Sequence, residues 1–407
     1  MGGRDGRLGR LSHRVLAAAA ALVAASCASA PTDLPGPELA GAPGAMTGRS
    51  SAAEAAAPRP VPSREQLGLL GLLGDGWVSA DEEDAAAADA ARPGGALSAY
   101  RSYFGFGPGL GARGLDGPKG RLFLTRLAAR GERKGVALLI HGYRAHGGHF
   151  APFAELVADS GWDCYLLDLP GHGLSEGERF GIGDFDDYGR ATLAAIGAIR
   201  DWESSGAVVD PTQADSGGPR LVLIGHSTGC SAIIEAFRLS AAQGGPPPAD
   251  GAVFAAPLVD MPNKRIRGAL NAVAGERLLE LPGFAASPAL IGPGVACNPA
   301  YREFIARGDP LSDWVYHTSW LNSYLDWYDG LVESRPIVFD GPALVVQGTG
   351  DTVVNWRGSQ ELLDRMFPAR DTRFYEGYSH TILNAAPERL ARVFSDVAAF
   401  LAGLAAR

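Results

Sequence analysis

From about Leu97 to the C-terminus, short apolar runs alternate with amphipathic segments, which predicts an α/β fold with a mostly parallel sheet and helices on both faces. Three observations carry this. Val136–Ile140, Cys164–Leu167, Leu221–Ile224, Ala252–Ala255 and Ala343–Val346 are apolar at nearly every position, as strands buried on both faces must be. Between and after them, residues 149–160, 184–202, 228–243, 356–367 and 387–404 have helical length and period. Arg121–Leu127 and Arg373–Tyr375 complete the strands. Residues 258–342 interrupt the alternation and carry Trp314, Trp320, Trp327, Tyr316, Tyr324 and Tyr328. An insertion at the carboxyl edge of such a sheet sits over the ligand crevice, so this segment is expected to be a cap.

The composition narrows the function. The chain has 407 residues, 46% of them hydrophobic and 20% charged, enough to bury a large core without staples. Its 55 glycines and 28 prolines follow no three-residue period, which excludes a collagen-like chain. Lys and Arg number 36 against 45 Asp and Glu, a net charge of −9 that offers nucleic acid no basic field. Four cysteines in a chain with this much core do not form a disulfide framework: Cys164, Cys230 and Cys297 are expected to be thiols.

The first residues look like an export signal. Arg4, Arg7, Arg10 and Arg14 precede the apolar run Val15–Ala25, too short to span a bilayer as a helix. Small residues then lead directly to Cys27, which resembles the lipobox of bacterial lipoproteins, where the cysteine carries the lipid. Residues 1–27 are thus expected to be a lipoprotein-type signal and the mature chain to be held at a membrane. A conventional cut after Ala30, releasing a soluble protein, is the alternative. Residues 28–95, rich in Ala, Pro, Gly and Ser, are expected to be a flexible tether, with Leu67–Leu73 read as linker with one short helix and, as the alternative, as a patch that touches a membrane or the catalytic domain. The catalytic domain is then expected to span residues 96–407.

The chemistry gathers at strand ends. Gly225-His226-Ser227-Thr228-Gly229 follows a four-residue apolar strand and opens a helical pattern, the context in which Gly-x-Ser-x-Gly presents a nucleophilic serine. A serine needs a base, and the base an orienting carboxylate. His380 lies in a polar turn after Arg373–Gly377, and Asp351 follows the strand and glycine turn Ala343–Gly350; Ser227, Asp351, His380 is the chain order of this arrangement. Asp260, after an earlier strand, is the alternative carboxylate. For the oxyanion, the N–H of Thr228 and that of Tyr143, in the loop after Val136–Ile140, are the expected donors. His141, His146 and His149 crowd the same loop, but no carboxylate or cysteine stands near them at ligand spacing, so they are expected to shape the loop and not to bind zinc. No cofactor is called for.

His141-Gly-Tyr with His149-Phe, Asp168-Leu-Pro-Gly-His-Gly-Leu-Ser-Glu-Gly-Glu178, Gly-His-Ser-Thr-Gly, Gln347-Gly-Thr-Gly-Asp351 and Tyr375-Glu-Gly-Tyr-Ser-His380 occur in one order. Together they resemble the α/β-hydrolase superfamily, in its monoacylglycerol lipase, lysophospholipase and serine aminopeptidase-like branch. The resemblance implies a Ser227–Asp351–His380 triad, an oxyanion hole at Tyr143 and Thr228, and a scaffold role for His172 and Ser175. Prolyl-type peptidases of the superfamily usually carry Gly-Gly-Ser-Trp-Gly, and dehalogenases and epoxide hydrolases an aspartate at the elbow; neither is present. Ester cleavage through an acyl-enzyme is therefore expected, on a monoacylglycerol or lysophospholipid type of substrate, with Trp314, Trp320 and Trp327 of the cap receiving the acyl chain. Acyl transfer to an alcohol, or an inactive surface-tethered binding module, are the alternatives.

Overall fold

The computed structural model describes residues 61–90, 95–205, 219–264, 293–312, 317–334 and 338–407. The chain divides into two units, Met1–Pro60 and Val61–Arg407, of which the second is described. The signal segment, Cys27 and Trp314 lie outside the described residues.

Among the described residues, one sheet holds nine strands: β1 Val78–Ser79, β2 Leu110–Gly117, β3 Gly120–Leu127, β4 Gly135–Ile140, β5 Trp162–Leu167, β6 Leu221–His226, β7 Gly251–Ala255, β8 Ala343–Gly348 and β9 Arg370–Tyr375, in the order β1-β2-β3-β5-β4-β6-β7-β8-β9. The ladders from β5 through β4 to β9 are parallel, while β1, β2 and β3 run antiparallel to their neighbours. The helices are α1 Arg64–Gly68, α2 Ala80–Ala90, α3 Ala96–Phe104, α4 Ala151–Asp159, α5 Asp186–Ser204, α6 Thr228–Ala242, α7 Pro299–Glu303, α8 Thr318–Ser334, α9 Trp356–Met366 and α10 Pro387–Ala405.

Alternation within each apolar strand explains its composition. Val136, Leu138 and Ile140 of β4 join one core layer with Ile196 of α5 and Ile233 of α6. Their neighbours Ala137 and Leu139 join the other, with Phe153 of α4 and Val397 of α10. Because successive side chains point to opposite faces, a strand between two helical layers has no polar position to spare. The result is an α/β-hydrolase fold, with helices on both faces of a mostly parallel sheet.

The N-terminal boundary of the domain is a correction. Residues 61–90, expected to belong to the tether, are part of the fold. Leu67 and Leu70 are buried beneath the sheet layer that contains Tyr100, Phe123 and Leu127. β1 pairs with β2, adding a strand to the sheet edge. Trp77 packs edge-on against Trp202, and the Arg113 guanidinium lies 3.7 Å from the Trp202 ring centre. Gly95 gives α3 no side-chain cap, and the carboxylate of Glu83 in α2 supplies one by accepting the Ser98 N–H at 2.8 Å. Arg101 of α3 in turn pairs with Asp81 and Asp84. Composition concealed this because Ala, Gly and acidic residues make up more than half of the segment, while a few apolar side chains anchor it.

Removing residues 61–95 should destabilise the domain. Burial of Leu67 and Leu70 alone is worth about 3–6 kcal/mol, so a chain beginning at Ala96 should melt several degrees below one beginning at Val61. Equal thermal midpoints would show the segment to be dispensable.

Candidate active site

β6 ends at His226, and α6 begins at Thr228 with no intervening loop. Ser227 must make the whole turn, and does so at φ 52°, ψ −116°, a strained conformation for a residue with a side chain. Glycines make room for it. A Cβ on Gly225 would meet the Cys230 amide nitrogen at 2.6 Å, and one on Gly229 would meet the Ile140 carbonyl oxygen at 2.1 Å. The turn is tied down by the Ser227 N–H donating to the Ala255 carbonyl at 3.0 Å and the Cys230 N–H donating to the Ser227 carbonyl at 2.9 Å. Cys230 is buried beneath it, and burial pushes its thiol pKa well up, leaving it an inert packing group.

Asp351, in the turn after β8, and His380, in the turn after β9, meet at the same edge. His380 Nδ1 lies 2.9 Å from Asp351 Oδ2, with both side chains buried. The other carboxylate oxygen of Asp351 accepts the Val353 and Val354 N–H groups, and Gln347 Nε2 donates to Oδ2. Burial works to raise the Asp351 pKa, but His380 and these donors outweigh it and hold the carboxyl below its ordinary value. Asp351 is thus the ionised acceptor that an orienting carboxylate has to be. Asp260, the alternative, is engaged elsewhere: it pairs with Lys264 at 2.5 Å and accepts from Asn355 Nδ2 at 2.8 Å. His380 is itself held from behind, its N–H donating to the Gly294 carbonyl and its own carbonyl facing His226 Nε2 at 3.0 Å. Burial, with the neighbouring His380 adding to it, lowers the His226 pKa to about 3, so His226 is a neutral strut and not a second base.

The loop after β4 abuts the elbow serine: a Cβ on Gly142 would meet the Ser227 Cβ at 3.0 Å. Tyr143 follows, and its hydroxyl donates to the Phe180 carbonyl and accepts the His317 N–H. Thr228 is fully buried at the first position of α6, where backbone N–H groups and the helix dipole favour developing negative charge. His172 and Ser175 brace the adjoining turn, His172 Nδ1 facing the Pro170 carbonyl and Ser175 Oγ donating to the Asp168 carbonyl. Burial lowers the His172 pKa to about 3.

The structure changes the reading of two other groups. Trp320 and Trp327, expected to line an acyl-chain cavity, are 2% and 7% exposed. Trp320 stacks on Tyr143 with ring centres 4.1 Å apart, and Trp327 stacks on Phe185 and donates its indole N–H to Glu235 of α6 at 2.9 Å. A ring held on its face and at its N–H is a docking contact, so Trp327 anchors α8 to α6. Trp327 also lines a cavity of about 350 Å³, with Phe185, Arg238 and Leu331, which includes none of Ser227, Asp351 or His380.

His146 and His149, for which the sequence offers no nearby carboxylate, meet Asp309 of the cap. His146 Nε2 lies 3.1 Å from Oδ1 and His149 Nε2 lies 2.7 Å from Oδ2. All three ligand atoms lie within 4.8 Å of one another, close enough for a metal ion. The partners on the far side of the rings oppose one. The Gly148 N–H donates to His146 Nδ1 at 3.1 Å, so the proton sits on Nε2, the atom a metal would need. His149 Nδ1 faces the Tyr301 hydroxyl at 2.7 Å, which leaves its Nε2–H for Asp309 in the same way. The cluster is a satisfied hydrogen-bond network. A separation of 160 residues put it beyond any spacing rule.

The serine aminopeptidase, S33 family model matches residues 131–386, more than half of the chain and all of the site. The chain belongs to this family. It is 28% identical over 275 residues to a monoacylglycerol lipase of Mycolicibacterium smegmatis, covering 66% of this chain and 88% of that one. It is 26% identical over 283 residues to a human monoglyceride lipase, covering 68% and 85%. Among solved structures, a soluble variant of Saccharomyces cerevisiae monoglyceride lipase in complex with a substrate analog superimposes with a TM-score of 0.57 at 16% identity, over 72% of this chain and 94% of that one. Paleococcus ferrophilus monoacylglycerol lipase gives 0.52 at 20%, over 70% and 99%. The protein is a hydrolase of the α/β-hydrolase fold, similar to monoacylglycerol lipases.

The elbow tolerates no side chain at Gly229. Gly229→Ala places a methyl group 2.1 Å from a carbonyl oxygen in a neighbouring strand, so activity should be lost and the thermal midpoint should fall. Gly330→Ala, on α8 with nothing within 4 Å of the added carbon, should leave activity intact and stabilise by about 0.5–1 kcal/mol. A Gly229→Ala enzyme with full activity would contradict the packing described.

Proposed function

We propose that the protein is a serine carboxylic-ester hydrolase acting through an acyl-enzyme, with monoacylglycerols or lysophospholipids as its substrate class. The observation that carries this reading is the 2.9 Å contact between His380 Nδ1 and an ionised, buried Asp351, at the sheet edge where the strained Ser227 turn stands. In this arrangement Asp351 keeps the Nδ1 proton in place, which leaves His380 Nε2 to take the Ser227 proton as Oγ attacks the ester carbonyl. The backbone N–H groups of Thr228 and Tyr143 receive the oxyanion, and His380 returns its proton to the leaving alcohol. Water deprotonated by His380 then attacks the acyl-enzyme, the acid departs and Ser227 recovers its proton. Every group required comes from the chain itself. The lipid character of the substrate rests on the similarity to monoacylglycerol and monoglyceride lipases.

Ser227→Ala, Asp351→Ala and His380→Ala should each lower kcat about 10³-fold or more on nitrophenyl butyrate and on a monoacylglycerol series, because the three groups act as one unit. Asp260→Asn should change it little. A Ser227→Ala enzyme with near-normal turnover would refute the mechanism, and an inactive Asp260→Asn beside an active Asp351→Ala would reassign the carboxylate. Product analysis with added glycerol separates hydrolysis from acyl transfer by the same intermediate.

Cys27 is the proposed lipid-bearing first residue of the mature protein, exported and held at a bacterial membrane. The basic-then-apolar leader supports this. A diacyl anchor supplies the two chains that stable attachment needs. Among the described residues no helix is long and apolar enough to cross a membrane. Wild type should fractionate with membranes and begin at a lipidated Cys27, and Cys27→Ser should not. Soluble wild-type protein beginning at Pro31 would establish an ordinary signal instead.

A further inference from the structure

Among the described residues the cap touches the loop after β4 at several places, Tyr301 against His149 among them, and the Asp309 carboxylate joins two of the loop's histidines. Its carboxylate side chain is 1% exposed, as is that of His146, and the side chain of His149 is 3% exposed. Both oxygens are used, one by each histidine, and Oδ1 also accepts the Leu311 N–H at 2.9 Å. Beyond it Ser312 donates to the Arg144 carbonyl at 3.2 Å, the His317 N–H donates to the Tyr143 hydroxyl at 3.1 Å, and Trp320 stacks on the Tyr143 ring. Arg144, between Tyr143 and the histidines, has a φ of 64°, a left-handed conformation that a side chain disfavours and that surrounding contacts have to hold.

A carboxylate buried this deeply is costly unless every lone pair facing protein is met. Here the partners all come from one loop and its own segment, and burial at Asp309 is more than offset by His146 and His149, which hold its carboxyl well below the ordinary range. Removing Asp309 leaves two buried Nε2–H groups without an acceptor and frees the end of a loop that its own backbone does not favour.

We propose that Asp309 is a positioning residue that locks the cap onto the β4–α4 loop and thereby fixes the Tyr143 N–H where the oxyanion forms. The inference rests on the serine hydrolase reading above. Docking of the cap and completion of the oxyanion site are then one event. Asp309 acts through His146, His149 and Arg144, at a distance from the bonds that change, so it supports the transition state more than ground-state binding of a short ester.

The test is Asp309→Asn in the full chain, with Ser312→Ala as a second, milder variant and active sites counted by fluorophosphonate titration, so that kcat refers only to folded enzyme. Asparagine keeps the shape but presents an amide donor to one of the two Nε2–H groups. On nitrophenyl butyrate, kcat per titrated site should fall about tenfold or more for Asp309→Asn and about threefold for Ser312→Ala, with KM within twofold, and the fluorophosphonate labelling rate should fall in parallel. Unchanged kcat per site in both variants, beside an inactive Ser227→Ala, overturns the proposal alone. An active Ser227→Ala overturns the serine reading and the proposal with it. Loss of wild-type activity in EDTA with recovery on zinc would make the cluster a metal site and also overturn it.

Discussion

The backbone contact on which the site depends is the approach of Gly229 to the carbonyl of Ile140, so close that no Cβ fits between them. It lets α6 start directly from β6, and that in turn forces Ser227 into its strained conformation. Strain of this kind costs of order 1–3 kcal/mol and persists only where the surroundings over-determine it. The surroundings here are β4 and β6 paired in parallel from Val136 to Ile140, with Ala255 and Cys230 bonded to either side of the serine. An otherwise ordinary parallel sheet thus presents one serine at the N-terminus of a helix.

The remaining chemistry is delivered by the same edge. Asp351 and His380 leave β8 and β9, adjacent parallel strands, so two residues far apart in the chain arrive side by side without further provision. Neighbouring strand ends in a parallel sheet converge in this way, which is why such sheets collect functional loops at their carboxyl ends. Asp260 leaves β7 from the same edge yet turns to Lys264 and Asn355. What separates the two carboxylates is their partners, not their position in the chain.

The cap is held to the body by polar contacts buried among aromatic rings. Trp327 bonds to Glu235, and Asp309 joins the two histidines. Burial raises the Glu235 pKa against the pull of Arg238 and Trp327, so this anchor also depends on its partners being in place. Apolar packing alone would let the cap slide. Buried donors and acceptors accept one register only, because any other leaves them unmet.

The sequence by itself determined the parallel part of the sheet, the helices that cover it and the elbow. Each is written in local signals: apolar runs with no polar position, helical periods, and two glycines flanking a serine. The placement of Ser227, Asp351 and His380 at one sheet edge was legible for the same reason, each standing just past a recognisable strand. Strand β2 was not, since Leu110-Gly-Ala-Arg-Gly-Leu-Asp-Gly117 has no strand-like pattern and exists by pairing with β3. Residues 61–90 were not legible either, because two leucines and a tryptophan anchor a segment whose composition resembles a linker. Tertiary structure alone decided that Trp320 and Trp327 dock the cap, that Asp260 belongs to Lys264, and that Asp309 meets His146 and His149. These are contacts between side chains brought together across 92 to 177 residues or by a choice among equivalent partners, and no local period encodes which buried group will satisfy which.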